Sequence, residues 1–242
     1  MDISNSICHR RVIGMMNKFK MMDDKYSNFL TILLVIVIIA ILILLGFWAY
    51  DVYKKYDTEA GAAEAIEEFE NEVSHKNVVE ENTVDYGNVV NPYSSIQTVE
   101  GTSTVSTTKT YKGFVMSGYI EIPKTGVKLP VLNEVTKKSI ETSVAILYGP
   151  GLNKVGNTVI VGHNYRNGMF FSNNAKIEVG DKIYITDETG NKVTYIVYNT
   201  YDTTPEDAEY MTRNTNGAME ISLSTCTDDS SGRIIIWAKA EN

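Results

Sequence analysis

The sequence is poor in the two residue types that most often bind zinc, cysteine and histidine. Its 242 residues include two cysteines and three histidines. Residues 113–242 contain one of each, Cys226 and His163. Zinc takes three or four protein ligands, so one thiol and one imidazole fall short of a zinc site. No cofactor is expected.

The chain also lacks an excess of basic residues. It has 22 Lys and Arg against 30 Asp and Glu, a formal net charge of −8. Binding to a phosphate backbone needs a basic stripe or patch, and no segment of the sequence resembles one. Nucleic acid is therefore excluded as a partner.

One stretch has no charged residue at all. Residues 29–50, from Phe29 to Tyr50, are apolar almost throughout and end in an aromatic group containing Phe47 and Trp48. As a helix, about 20 residues span a hydrocarbon core of about 30 Å, and aromatic residues favour its boundary. A cleaved signal peptide would have a shorter apolar region and small residues at its end. A buried core helix of this length without a polar face is the third alternative. The run predicts a transmembrane helix.

The flanking charges predict how this helix is oriented. Five basic residues precede it, Arg10, Arg11, Lys18, Lys20 and Lys25, against Lys54 and Lys55 just after it. Basic residues near a span stay in the cytoplasm, so residues 1–28 are predicted to be a cytoplasmic tail. Everything after Tyr50 is then extracellular. Cys8 and Cys226 lie on opposite sides of the membrane, which leaves Cys226 either a reactive thiol or a small buried apolar residue.

Residues 51–112 predict a spacer between membrane and domain. Ala and Glu dominate as far as Lys76, and Ile66, Phe69 and Val73 recur at intervals of three and four residues. This spacing is typical of an amphipathic helix, interpreted here as a stalk. The Asn-, Thr- and Ser-rich remainder reads as a linker, although its Thr and Val residues could also form a strand.

Residues 113–242 change to short β-type runs separated by turn residues. Eight such runs follow one another: YIEIP, KLPVL, VAILYG, NTVIVG, DKIYIT, KVTYIVYNTY, MEISLSTC and RIIIWAKA. Eight strands in so short a domain predict a barrel or a sandwich. Consecutive apolar residues from Ile234 to Trp237 predict burial on both faces of their strand. Pro205 to Asn214 is the best candidate for a short helix.

The chemistry-bearing residues lie at predicted strand ends. Cys226 ends MEISLSTC, Arg233 begins RIIIWAKA, and a six-residue turn segment separates them, so an antiparallel hairpin would place the two opposite each other. His163 follows the strand TVIVG. A thiolate nucleophile, a cation for an oxyanion and an acid/base partner together suit acyl transfer.

Each of these residues also has a structural interpretation. His163 could be a hydrogen-bonded turn residue, and Arg233 could form a surface ion pair. Arg166 competes with Arg233 for the oxyanion role because it is close to His163 in sequence. Residue spacing alone does not decide between the two arginines.

Three segments resemble the signature regions of sortases. They are Leu223-Ser224-Thr225-Cys226 with Arg233 downstream, Val161-Gly162-His163-Asn164, and GYIEIP from Gly118 to Pro123 followed by Pro130 and Val131. Their order and spacing are similar to those of the family, and the resemblance covers residues 113–242. It implies a mainly β fold, an eight-stranded sortase-type β-barrel with short helices, preceded here by the transmembrane helix and helical stalk.

The resemblance also implies a function. Cys226 would form a thioester with the backbone carbonyl of an LPXTG-like C-terminal sorting motif in a secreted protein. His163 would act as general acid and then base, and Arg233 would hold the oxyanion or the substrate backbone. The acyl group would pass to a cell-wall precursor or another amine, outside a Gram-positive cell.

The subclass is less defined by the sequence. Pilin-polymerising sortases usually carry a second C-terminal span, and the sequence ends just after RIIIWAKA. Their N-terminal lid usually shows an Asp-Pro-aromatic motif, which Asn91-Pro92-Tyr93 resembles weakly. A class B-like or housekeeping anchoring role is favoured over pilin polymerisation.

Two other readings stay open. The barrel could be a non-catalytic extracellular domain that binds peptide or glycan, with Cys226 structural. The acidic residues Glu178, Asp181 and Asp187 could bind calcium, but they read first as solvated turn residues. A peptidoglycan cross-linking cysteine enzyme is disfavoured because its usual His-Gly-Cys run is absent.

Overall fold

The computed structural model describes the backbone of residues 3–81 and 109–241 and the side chains of residues 26–74 and 109–241. The Asn91-Pro92-Tyr93 motif and most of the predicted linker lie outside these ranges. The chain divides into two compact units, residues 1–56 and residues 57–242. The second unit begins within the segment that the sequence assigns to the stalk.

A single long helix, α1, covers Ile3–Glu81. Its stretch Tyr26–Ser74 is long and apolar enough to cross a membrane, judged by length and composition. The side chains from Phe29 to Tyr50 are exposed, as expected of a surface that lipid would cover. The helix is consistent with membrane anchoring, and the orientation of the span stays a prediction.

Nine strands lie in the described part of the second unit. They are β1 (Thr110–Tyr111), β2 (Phe114–Ile122), β3 (Val127–Leu132), β4 (Val144–Tyr148), β5 (Gly156–Val161), β6 (Lys182–Asp187), β7 (Lys192–Thr203), β8 (Met219–Cys226) and β9 (Arg233–Ala240). Their order is β1-β2-β3-β4-β5-β8-β9-β7-β6, and β2 also pairs with β6. That last pairing closes strands β2 to β9 into a ring. The predicted eight-stranded barrel is confirmed, and each of the eight predicted runs contributes one of its strands.

The barrel wall is buried on both faces near the end of the chain, as the sequence predicted. Ile234 and Ile236 lie in the main core inside the barrel, with Leu223 of β8. Ile235 points to the other face, where it packs with Val159 and Tyr210. Alternate residues of a strand point to opposite faces, so a continuous apolar run needs cover on both sides.

The outer cover comes from the connection between β7 and β8. It contains the short helix α3, Glu209–Thr212, within the predicted helical segment Pro205–Asn214. The side chain of Asn157 on β5 donates to the carbonyls of Tyr210 and Met211, both at 2.9 Å. Arg213 forms a buried ion pair with Glu220 of β8. These contacts fasten the connection to strands β5 and β8.

Helix α1 packs against the outside of the barrel through Ile66 and Phe69. Ile66 and Phe69 are buried with Tyr111, Met116 and Tyr119. The hydroxyl of Tyr119 donates to a Glu70 carboxylate oxygen at 2.7 Å. Burial, followed by this hydrogen bond to Glu70, raises the pKa of Tyr119 to about 12. The segment predicted as a stalk is thus part of the second compact unit.

Candidate active site

Cys226 and Arg233 are direct partners across the β8–β9 hairpin. Cys226 is the last residue of β8 and Arg233 the first of β9, and their Cα atoms are paired in the antiparallel register. Facing residues in such a pair have Cβ atoms about 5 Å apart and side chains on one face. The predicted juxtaposition of thiol and guanidinium is therefore what the register produces.

The loop between these two residues is a tight, internally bonded turn. The Asp229 carboxylate accepts hydrogen bonds from the Thr227 hydroxyl at 2.6 Å and from the Ser231 amide at 3.0 Å. These bonds, that from Thr227 first, lower the pKa of Asp229 to about 2. The Thr227 amide also donates to the Gly232 carbonyl at 3.0 Å. The turn fixes where the two strands begin and end.

His163 lies two residues beyond the end of β5, beside Cys226. Strand β5 runs parallel to β8, with Val161 paired to Ser224. The Gly162 amide donates to the Ser224 carbonyl at 3.2 Å, and the Thr225 hydroxyl donates to the Gly162 carbonyl at 2.7 Å. Neighbouring strands are about 4.8 Å apart, so the backbone of His163 runs alongside that of Cys226.

Gly162 makes this approach possible. A Cβ atom at Gly162 would lie 2.8 Å from side-chain carbons of both Phe171 and Val144. Real Cβ atoms do not approach other atoms so closely, so any side chain here would push the chain outward. The residue before His163 must be glycine for the end of β5 to stay against the barrel.

Cys226 and Arg233 belong to the outer face of the barrel wall. Ser222 and Ser224 of β8 contact the covering connection on this face, through Arg213 and Tyr210. Cys226 follows them in the alternation, and Arg233 is its paired neighbour. The structure brings Cys226, Arg233 and the His163 backbone to one end of this face.

The environment of His163 favours the neutral imidazole. Burial lowers the pKa of His163 below its ordinary value of 6.5, and the nearby negative charge of Glu141 partly offsets this. Its ring lies 5.0 Å from the Tyr165 ring, centroid to centroid. A neutral imidazole near a thiol can accept its proton and later return it, which is the property a general acid/base needs.

Neither Cys226 nor Arg233 is fully buried. Cys226 is free and half-buried, and Arg233 is half-buried. The Arg233 Nε donates to the Pro205 carbonyl of the β7–β8 connection at 3.5 Å. Both residues are therefore partly accessible from solvent.

Arg166 is the alternative to Arg233 for the oxyanion role, and it lies in the loop after β5. It is exposed, and its Nη2 donates to the Ser230 hydroxyl at 2.5 Å. Ser230 is four residues beyond Cys226 in the loop. The register places Arg233 opposite Cys226 and gives Arg166 no equivalent pairing.

Sequence reasoning missed two residues next to this site. Asn164 bonds the backbone of Cys226, and Glu141 of helix α2 (Lys137–Thr142) acts on His163 electrostatically. The motif Val161-Gly162-His163-Asn164 assigns no role to Asn164. Knowing that β5 pairs with β8 would have located Asn164, and knowing that β4 pairs with β5 would have located Glu141.

The acidic residues considered for calcium are engaged in turns and ion pairs. Lys124 lies 3.2 Å from Glu178 and 3.8 Å from Asp181. Asp187 accepts hydrogen bonds from the Thr189 amide and hydroxyl in the β6–β7 turn. Among the described residues, no three His, Cys, Asp or Glu side chains cluster as metal ligands.

Comparison with known proteins agrees with this geometry. The model of the sortase domain family matches residues 120–241, half of the chain. Sortase A of Bacillus anthracis is 34% identical over 122 residues, which cover 49% of this chain. The match spans 57% of the length of that relative.

Two solved structures are among those similar to this chain. A Clostridium perfringens Sortase D5 transpeptidase is 28% identical, with a TM-score of 0.48, covering 53% of this chain and 80% of that one. A lid mutant of sortase A from Corynebacterium diphtheriae is 27% identical, with a TM-score of 0.49, covering 53% and 72%. By the match of the family model over residues 120–241, the chain belongs to the sortase family.

Proposed function

We propose that this chain is a membrane-anchored cysteine transpeptidase that acts on a C-terminal sorting motif of LPXTG type. The observation that carries the proposal is the cross-strand pairing of Cys226 with Arg233, with the backbone of His163 alongside. A thiol, an imidazole and a guanidinium at one accessible rim are the groups that acyl transfer through a thioester requires.

The first half-reaction would form the thioester. His163 takes the thiol proton of Cys226, and the sulfur attacks the backbone carbonyl carbon of the motif. The negative charge on the carbonyl oxygen is stabilised by Arg233. The carbon–nitrogen bond then breaks, and His163 delivers a proton to the departing amine. The secreted protein remains attached to Cys226 as a thioester.

The second half-reaction would transfer the acyl group. An amine of a cell-wall precursor or another acceptor attacks the thioester carbon while His163 removes its extra proton. The carbon–sulfur bond breaks and the Cys226 thiol is regenerated. Water would resolve the same intermediate, so slow hydrolysis is the expected side reaction.

The location of the reaction follows from the charges that flank the apolar helix. With residues 1–28 in the cytoplasm, the domain faces the cell exterior, where secreted proteins and cell-wall amines occur. A single-pass anchor would hold the enzyme at the membrane surface that its substrates leave.

The test is direct detection of the acyl-enzyme. The full chain in detergent micelles is incubated with a library of sorting-motif peptides, and intact and tandem mass spectrometry locate any adduct. We expect an acyl adduct on Cys226, with Cys8 of the same molecule serving as the unmodified control thiol. A folded sample that forms no adduct with any peptide would contradict the proposal and favour a binding domain.

The oxyanion role can be tested with a matched pair of arginines. Arg233→Ala is expected to lower kcat/KM about 10²- to 10³-fold, because one preorganised donor to the oxyanion is removed. Arg166→Ala is expected to cost less than about fivefold, because an exposed neutral-acceptor hydrogen bond contributes about 1 kcal/mol. Peptide cleavage rates measured by chromatography distinguish the two, and equal losses would remove the assignment of Arg233.

A further inference from the structure

The side chain of Asn164 joins the loop after β5 to the loop after β8. Its Nδ2 donates to the Cys226 carbonyl at 3.0 Å and to the Asp228 carboxylate at 2.8 Å. Its Oδ1 accepts from the Arg166 amide at 3.0 Å. The whole amide group is therefore used in bonding two loops that are 62 residues apart in the chain.

The residues on both sides of His163 are hydrogen-bonded to strand β8. On the strand side, Gly162 is bonded to Ser224 and Thr225. On the loop side, Asn164 is bonded to Cys226 itself and forms an isolated bridge with Phe170. His163 is thus held between two fixed points, and both fixed points lie on the strand that ends in Cys226.

We propose that Asn164 is a positioning residue that sets the distance between the His163 imidazole and the Cys226 thiol. The inference rests on the proposed function, since the distance matters because a proton passes between these groups. Asn164 need not touch the substrate. Its effect would run through the backbone of Cys226 on one side and of His163 on the other.

Asparagine suits this place because its amide supplies what both loops need. The Cys226 carbonyl and the Asp228 carboxylate are acceptors, so the bonding group must be a donor. An isosteric aspartate would donate nothing when ionised and would place a second carboxylate against Asp228. Without the Asn164 Nδ2 donor, the loop after β5 would lose its hydrogen bonds to the Cys226 carbonyl and the Asp228 carboxylate.

The test measures how far the reactivity of Cys226 depends on His163, with and without Asn164. In a Cys8→Ser background of the full chain in micelles, the rate of alkylation by iodoacetamide is measured from pH 5 to 9. The other charged groups nearby, Glu141, Arg233 and Asp228, are unchanged in the four proteins of the mutant cycle.

Four proteins form the cycle: the background, His163→Ala, Asn164→Ala, and the double variant. In the presence of Asn164, removing His163 is expected to change the alkylation rate about tenfold at the pH of greatest difference. In the Asn164→Ala background the same change is expected to shrink to less than about twofold. If His163→Ala changes the alkylation rate by the same factor with and without Asn164, the inference is overturned.

Asp228→Ala is the matched control, because it removes one acceptor of Asn164 and leaves the bond to the Cys226 carbonyl. The effect of His163 is expected to stay within about twofold of its value in the background protein. If Asp228→Ala abolishes the dependence as fully as Asn164→Ala, general ordering of the loop explains the result and the positioning role is lost.

Alkylation needs no acyl donor, so this test is separate from that of the proposed function. The alkylation experiment could show the expected dependence on Asn164 while no acyl adduct forms on Cys226. That result would support the role of Asn164 in coupling His163 to Cys226 and would contradict transpeptidation. In turnover, Asn164→Ala is expected to lower kcat about tenfold with KM changed by less than twofold. A change confined to KM would count against positioning.

Discussion

Cys226→Ala is expected to lower transpeptidation by at least about 10³-fold, because the thioester cannot form without the nucleophilic sulfur. The remaining groups, His163 and Arg233, would still bind and polarise a carbonyl, but no covalent intermediate would accumulate. The measurement is the rate of formation of the ligated product from a sorting-motif peptide and a small amine, followed by liquid chromatography.

Cys8→Ala is the internal control for this result. It removes the other thiol of the chain, and the sequence places it on the opposite side of the membrane from the reaction. The rate is expected to stay within about twofold of the original, because this thiol is predicted to lie across the membrane from the reaction. Retention of more than about a tenth of the activity in Cys226→Ala would show that the sulfur is not the nucleophile.

The hairpin carrying Cys226 and Arg233 could be predicted because its information is local. Two β-type runs flank a short segment rich in Asp, Ser and Gly, so both the turn and the antiparallel register follow from neighbouring residues. The observed pairing of Cys226 with Arg233 matches that prediction. For the same reason, each of the eight predicted runs is a strand of the barrel.

The neighbourhood of His163 could be predicted only in part. The end of β5 could be predicted from the sequence. Its parallel pairing with β8 joins segments about 60 residues apart, which no single tight turn connects. Parallel neighbours are connected by long crossovers, so nothing local specifies the register. The contact of Asn164 with Cys226 depends on this pairing. The electrostatic effect of Glu141 on His163 depends on the pairing of β4 with β5, which the sequence analysis did not predict either.

The segment of helix α1 around Phe69 also could be predicted only in part. The spacing of Ile66, Phe69 and Val73 correctly indicated one apolar helix face. What covers that face comes from β1 and β2, and periodicity within a helix carries no information about such a partner. The segment was therefore interpreted as a stalk. Strand β1 lies in the predicted linker, where the sequence analysis allowed a strand as the alternative.

This packing affects how the domain should be prepared. A fragment that begins at residue 113 would lack Ile66, Phe69 and Tyr111, and would expose the apolar side chains of Met116 and Tyr119 that they cover. Exposed apolar clusters of this kind promote association and lower stability. Experiments on the site are therefore better done on the full chain.

Phe69→Ala is expected to destabilise the second unit by about 3–5 kcal/mol, the usual cost of removing a buried phenylalanine side chain. Phe69 is 2% exposed, and its ring packs edge-on against Tyr119 at 6.0 Å. The Lys109 ammonium lies 4.2 Å above the same ring. The substitution removes all of these contacts and leaves a cavity between helix and barrel.

Glu67→Ala supplies the matched control on the same helix. Glu67 is exposed two residues earlier, so its removal is expected to change stability by less than about 0.5 kcal/mol. Both variants are compared with the original full chain in micelles by guanidinium denaturation followed by near-ultraviolet circular dichroism, which reports the packing of the aromatic side chains. Equal midpoints for Phe69→Ala and Glu67→Ala would mean that the helix does not contribute to the folding of the barrel. A loss confined to Phe69→Ala would establish residues 57–74 as a structural part of the domain that carries Cys226.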